Sequence, residues 1–236
     1  MKTCRVLLIV IAFFLMLSLI QFAKIRHAIE VGNYPLEPWQ QIKTNASYKV
    51  LFAGDSTAVG TGLLDNSKST SGLLSHDYPN IDLENYSHNG LRLRGLAKTL
   101  KTIPDKKFDL AVLQIGANDI IFLTPMNQIK GDLKDVLKLA KHMAKKIIIL
   151  HSGDVGESPL FIWPFKWIYT WRSLKVRDFY RQSQDSQVSY LDIYTLNQGR
   201  NYNGCYARDS LHLNEHGYAI WYGFIKNQLK HLHWLP

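Results

Sequence analysis

Five short apolar runs, alternating with stretches whose apolar residues recur at helical spacing, constrain this chain more than any other feature. Lys49–Ala53, Ile81–Tyr86, Phe108–Ile115, Ile147–His151 and Val188–Ile193 read as strands, and helical patterns cover 70–77, 91–103, 126–145, 165–183 and 214–231. Parallel strands need long crossovers, and crossover helices then cover both sheet faces. The expectation is a three-layer α/β/α domain over residues 48–236 around a five-stranded parallel sheet. In such sheets the reactive groups gather beyond the carboxyl ends of the strands. With 236 residues in all, there is room for one such domain and an appendage.

The appendage is amino-terminal. Residues 6–23 carry no charge between Arg5 and Lys24, and at about 1.5 Å per residue they reach about 27 Å, near the hydrocarbon thickness of a bilayer. Residues 1–5 form a short basic region, so the segment reads as an uncleaved transmembrane anchor. A cleaved signal peptide, leaving a secreted domain, is the competing reading; Gln21 two positions before Ala23 spoils the small-x-small cleavage pattern. Residues 24–47, with Gly32, Pro35 and Pro38 and no sustained periodicity, are expected to tether the anchor to the domain. Lys2 and Arg5 against Lys24 and Arg26 give a slight bias on orientation, and the domain is assigned to the extracytoplasmic side.

A formal charge of +9 raises the question of nucleic acid. The cations recur at helical spacing, as in Lys134, Lys138, Lys141 and Lys145, so they read as solvated helix faces, and an anionic membrane surface is the better partner. Cys4 and Cys205 lie on opposite sides of the apolar segment and do not form a disulfide framework.

The residues that follow the strands carry the chemistry. After the first come Gly54-Asp55-Ser56, after the second Asn85 and, five residues on, Gly90, and after the third Gly116-Ala117-Asn118-Asp119. Near the end Asp209 and His212 stand three residues apart, a spacing that on a helical turn puts both on one face. Each element alone is weak, because turns and caps use the same residue types. A strand order of 2-1-3-4-5 brings them together, with Gly90 and Asn118 flanking Ser56. Ser56 is then a nucleophile, His212 its base, and Asp209 the carboxylate that orients the imidazole. The Ser56 and Gly90 N–H groups and the Asn118 amide are candidate donors to an oxyanion. Asp55 and Asp119 are supporting candidates within the same blocks.

These four blocks, with the continuation Leu213-Asn214-x-x-Gly217-Tyr218, resemble those of the SGNH hydrolase superfamily, the GDSL-type lipases and esterases. The likeness spans roughly residues 48–232. It implies a flavodoxin-like fold and hydrolysis of a carboxylic ester through an acyl-enzyme, without metal or cofactor. Lysophospholipids and acetylated carbohydrates are the substrate classes it brings to mind. Asn89, Arg92 and Arg94 depart from the small residues common around Gly90 in relatives, so a differently shaped acyl or alcohol pocket is expected. A noncatalytic module that only holds an acylated ligand is the alternative.

Other constellations fit less well. His212-Leu213-Asn214-Glu215-His216 spells an inverted zinc-peptidase motif, but no Asp or Glu follows His216 to serve as a third ligand. The Gly-x-Ser-x-Gly elbow and a phosphate-binding loop are both missing. An aromatic run remains: Trp163, Trp167 and Trp171 form one row at every fourth position, and Phe161, Phe165 and Tyr169 another. Residues 159–183 are expected to cover the pocket and face the membrane, or else to pack onto the sheet.

Overall fold

The structure is a computed structural model that describes residues 2–32, 37–199, 202 and 204–235. Its sheet has the order β2-β1-β3-β4-β5, all neighbours parallel: β1 Lys49–Gly54, β2 Asp82–Asn85, β3 Phe108–Gln114, β4 Ala144–Leu150 and β5 Val188–Tyr190. Successive residues alternate between faces with the period of a strand. Leu51, Ala53, Ala111, Leu113, Ile147 and Ile149 face one core, and Val50, Phe52, Leu110, Val112, Ile148 and Leu150 the other. Helices α4 (Leu93–Thr102), α6 (Met126–Met143) and α7 (Phe165–Gln182) cover the first face, and α3 (Thr70–Asp77) and α9 (Glu215–His231) the second. Three one-turn helices, α2 (Ser56–Val59), α5 (Ala117–Ile121) and α8 (Ile193–Asn197), start shortly after β1, β3 and β5.

Several boundaries differ from expectation. The chain passes from α6 directly into β4 at Ala144, so two residues assigned to the helix are strand. Ile193 opens α8 and is not the end of β5, because the Asp192 carboxylate accepts the Thr195 N–H and caps that turn, while Arg177 clamps it with a guanidinium bond of 2.7 Å.

The larger difference is amino-terminal. Helix α1 runs from Lys2 to Gly32, so residues 24–32 are helix, not tether. Within Cys4–Gly32 it is long and apolar enough to cross a membrane, with an 18-residue stretch of mean hydropathy 2.8. Its second half lies on the domain. Gln21 is buried, receives the Ile162 N–H at 2.9 Å and donates to the Leu160 carbonyl at 3.4 Å; Lys24 reaches the Pro159 carbonyl; Ile25 and Ala28 pack into the first core. Residues 41–43 are also held, through paired backbone bonds of Gln41 with Leu83 and a bond from the Lys43 N–H to Asp82. Residues 33–36, with Pro35 of the expected tether, lie outside the described residues.

Of the aromatic rows, Phe161 and Tyr169 are buried, 4.2 Å between ring centroids, whereas Trp163, Trp167 and Trp171 are 51%, 66% and 54% exposed. The tryptophans therefore do not pack onto the sheet, and Trp163 lies against Phe14 of α1.

Candidate active site

Ser56 is the first residue of α2, directly after β1. Asp55 caps that turn by accepting the Thr57 N–H at 3.0 Å and its hydroxyl at 2.8 Å. Burial pushes the Asp55 carboxyl up to about 6, against its bonds from Thr57 and the attraction of His212. The turn is braced from two further elements: Asn85 donates to the Ala58 carbonyl at 3.1 Å, and the Tyr218 hydroxyl to the Thr61 carbonyl at 2.9 Å.

His212 Nε2 lies 2.9 Å from Ser56 Oγ, and its Nδ1 lies 2.6 Å from Asp209 Oδ2. The expectation for this pair was a helical turn, and the structure differs. Asp209 and His212 sit in an irregular loop closed by a bridge between Tyr206 and Leu213, with Ser210 at φ +62°. The spacing of three works for another reason: Asp209 Oδ1 accepts the Leu211 and His212 N–H groups, both at 2.9 Å, which curls the loop back and leaves Oδ2 for the imidazole. Burial pushes the Asp209 carboxyl up, but the bond to His212 and the two amides outweigh it and hold the group below the usual carboxylate range.

Gly90 and Asn118 border the same groove as Ser56 and His212, on the two sides expected from the strand order. The Asn118 amide donates one hydrogen to the Leu91 carbonyl at 3.0 Å, which fixes its plane and leaves a second N–H. Gly90 has φ +75°, a conformation that side-chain-bearing residues rarely adopt, and no protein atom lies within 4 Å of where its Cβ would stand, so the backbone conformation calls for glycine there. Asp119 receives the Leu93 N–H at 2.9 Å and so pins the start of α4 beside the Gly90 loop; burial raises its carboxyl. Arg172 binds the carbonyls of Asp119, Ile120 and Thr124 from beneath. On the other side of Ser56 a cleft of about 690 Å³, counted to its open mouth, is bordered by Val155, Ser158, Tyr206 and Trp221. Residues 159–183 do not line it, so they are not its cover.

Some contributors were not read from the sequence. Ser158 donates to the Ser210 carbonyl at 2.6 Å and the Leu160 N–H reaches the same oxygen at 3.2 Å, tying the His212 loop to the segment that holds α1. His151, at the end of β4, is buried between Tyr180 and Tyr190, its ring 5.2 and 5.8 Å from theirs, and neither nitrogen meets a protein partner. Burial pushes this imidazole down to about 4. Folded-state depression means that the stability it allows is complete above pH ~6.5 and is lost as pH falls towards 4, by about 3 kcal/mol in all. Asp55 acts with the opposite sign over a similar range, so the contrast must be read by difference. His151→Phe should gain thermal stability relative to the parent as pH falls from 6.5 to 4, and a constant difference in melting temperature across that range would contradict this account.

The sequence profile of the GDSL-like Lipase/Acylhydrolase family matches residues 52–220. No curated protein matches the chain. Among solved structures, the lipase Lip_vut3 from a goat rumen metagenome superposes with a TM-score of 0.62 at 15% identity, over 77% of this chain and 97% of its own. TesA superposes with a TM-score of 0.63 at 20% identity over 78% and 99%. Axe2, an acetylxylan esterase from Geobacillus stearothermophilus, gives 0.57 at 19% identity over 83% and 99%. At these identities the superpositions speak for the fold, which is the SGNH hydrolase fold. With the profile covering most of the domain, the chain belongs to the GDSL-like lipase/acylhydrolase family and is a carboxylic ester hydrolase of the SGNH type.

Proposed function

We propose that the protein is a membrane-anchored serine esterase that works through an acyl-enzyme on Ser56, with His212 and Asp209 completing the triad and the Ser56 and Gly90 N–H groups and the Asn118 amide receiving the oxyanion. The observation that carries this reading is the unbroken chain from Ser56 Oγ to His212 Nε2 at 2.9 Å and from His212 Nδ1 to Asp209 Oδ2 at 2.6 Å. Ser56 Oγ attacks the ester carbonyl carbon while its proton passes to His212 Nε2. The carbonyl oxygen becomes an oxyanion held by the three donors. As the tetrahedral species collapses, His212 returns the proton to the departing alkoxide, and the alcohol leaves. Water then attacks the acyl-enzyme, with His212 again as base, releasing the acid and restoring Ser56.

An amphipathic lipid ester such as a lysophospholipid is the substrate class favoured here. In support, α1 is apolar enough to span a bilayer, Trp163 lies against Phe14 of α1 and edge-on to Trp167, and Trp163, Trp167 and Trp171 are all exposed, amphipathic rings suited to the headgroup boundary. Lys166 and Lys175 on the same helix add attraction for anionic lipid. The basic amino-terminal residues orient the domain to the extracytoplasmic side. The full-length protein in detergent should hydrolyse a short acyl ester in the presence of a chelator, and Asn118→Ala should lower kcat by about 10² to 10³. Loss of activity to the chelator, or an unchanged Asn118→Ala rate, would contradict the mechanism. Preference for an acetylated sugar over lysophospholipid in an ester panel would overturn the substrate class alone.

A further inference from the structure

Helix α1 does more than precede the domain. Gln21, Ile25, Ala28 and Gly32 follow one another at intervals of four, three and four, one face of a helix, and this is the face laid on the domain. The face ends at the triad. A Cβ built on Gly32 would lie 2.9 Å from His212 Cε1, 3.1 Å from His212 Nδ1 and 3.2 Å from Asp209 Oδ2. Contacts this short with ring and carboxylate atoms mean that a side chain at position 32 would have to push His212 or Asp209 out of place. Ile29 and Gly32 also form one wall of the groove that holds Ser56, Gly90 and Asn118.

We propose that the carboxyl-terminal turn of α1 is a built part of the active site, and that Gly32 is a positioning residue whose bare backbone holds the His212 ring in line between Asp209 and Ser56. The proposal rests on the serine-esterase reading above. Three physical effects point the same way. Packing against Gly32 limits rotation of the imidazole, which is 12% exposed, and shields the His212–Asp209 bond from water, Asp209 being 2% exposed at its side chain. The carboxyl-terminal end of a helix carries partial negative charge, and Gly32 sets that end of α1 beside the ring that becomes positive during acyl transfer. Gln21 and Lys24 fix the helix to residues 159–162, and Ser158 and Leu160 fix the His212 loop through Ser210, so α1 and the triad share one support. A chain cut after the apolar segment would keep Ile29 and Gly32 but lose the Gln21 bonds that help seat this turn, so the membrane anchor and the catalytic geometry are coupled through Gln21.

The test is Gly32→Ala in the full-length protein, since Ala favours helix over Gly and leaves α1 intact while placing a methyl against the imidazole. The expected result is kcat on a short soluble ester lowered by at least about 10-fold with KM little changed, because a misplaced catalytic group costs turnover and not binding. The low-field Nδ1–H proton resonance of His212 should move in the same variant, whereas Glu30→Ala, on the exposed face of α1, should leave both readouts unchanged. Wild-type kcat and an unmoved resonance in Gly32→Ala would overturn the proposal. A second measurement needs no variant: in the wild-type protein that resonance should exchange slowly with solvent, and a signal broadened away by exchange would overturn the proposal equally. A wild-type protein that hydrolyses no ester defeats the serine-esterase reading instead, so the two failures are distinct.

Discussion

Replacing Ser56 by Ala should lower kcat/KM on a short acyl ester by about 10⁴ or more, to whatever the oxyanion donors and binding alone sustain. The size follows from chemistry that has no substitute nearby. Ser56 Oγ is the group that His212 Nε2 reaches at 2.9 Å, whereas the Asp55 carboxylate accepts from Thr57 and the Thr61 hydroxyl bonds to Asn89. The change is also structurally mild. Alanine can occupy the first position of α2, and the cap that holds the turn comes from Asp55, so the fold should be kept. A Ser56→Ala protein with most of its activity left would remove the serine mechanism entirely.

Asp209→Asn should be nearly as damaging, by about 10³ to 10⁴ in kcat, although only one atom of the carboxylate changes in kind. The geometry explains why. Asp209 Oδ1 accepts two backbone amides, so the one oxygen that Asn keeps is held there, and its NH₂ group is turned towards His212 Nδ1. A donor facing Nδ1 selects the tautomer with hydrogen on Nε2, and that tautomer cannot take the Ser56 proton. The loop survives because both amide bonds survive, so the variant should melt near the parent while its steady-state rate collapses. If Asp209→Asn instead unfolds the loop and Asp209→Ala is equally active or inactive, the tautomer argument loses its support.

Much of the domain was legible in the sequence because a parallel sheet covered on both faces leaves short, almost continuous apolar runs. Leu51 to Ala53 and Ile147 to Leu150 are buried from both sides, and the common order 2-1-3-4-5, assumed for such a sheet, is the one the structure has. That order alone brings Ser56, Gly90 and Asn118 into one groove. The manner in which Asp209 and His212 are held was not legible: residue spacing reports distance along the chain, and an irregular loop with Ser210 at φ +62° meets the same spacing through carboxylate–amide bonds.

Contacts between remote segments were the least visible. The tryptophan row and the Phe161–Tyr169 pair have the same period, and only the packing of α7 separates the exposed row from the buried residues. The docking of α1 had a trace that apolar content masked. Gln21 is an odd residue within an apolar run, and with Ile25, Ala28 and Gly32 it spells a helix face continuing past Lys24, where charge and glycine suggested a tether. His151 left no trace, since one histidine at a strand end does not reveal that Tyr180 and Tyr190 enclose it.

The claim on which the account turns is that Ser56 is an activated nucleophile, and a serine-directed fluorophosphonate reads it directly on the full-length protein in detergent. The account predicts one covalent adduct per chain, located by peptide mass spectrometry on the peptide that contains Ser56, and lost in Ser56→Ala. A folded wild-type protein that remains unlabelled, or that carries the adduct on a different serine, would contradict it and favour a domain that binds an acylated ligand without cleaving it.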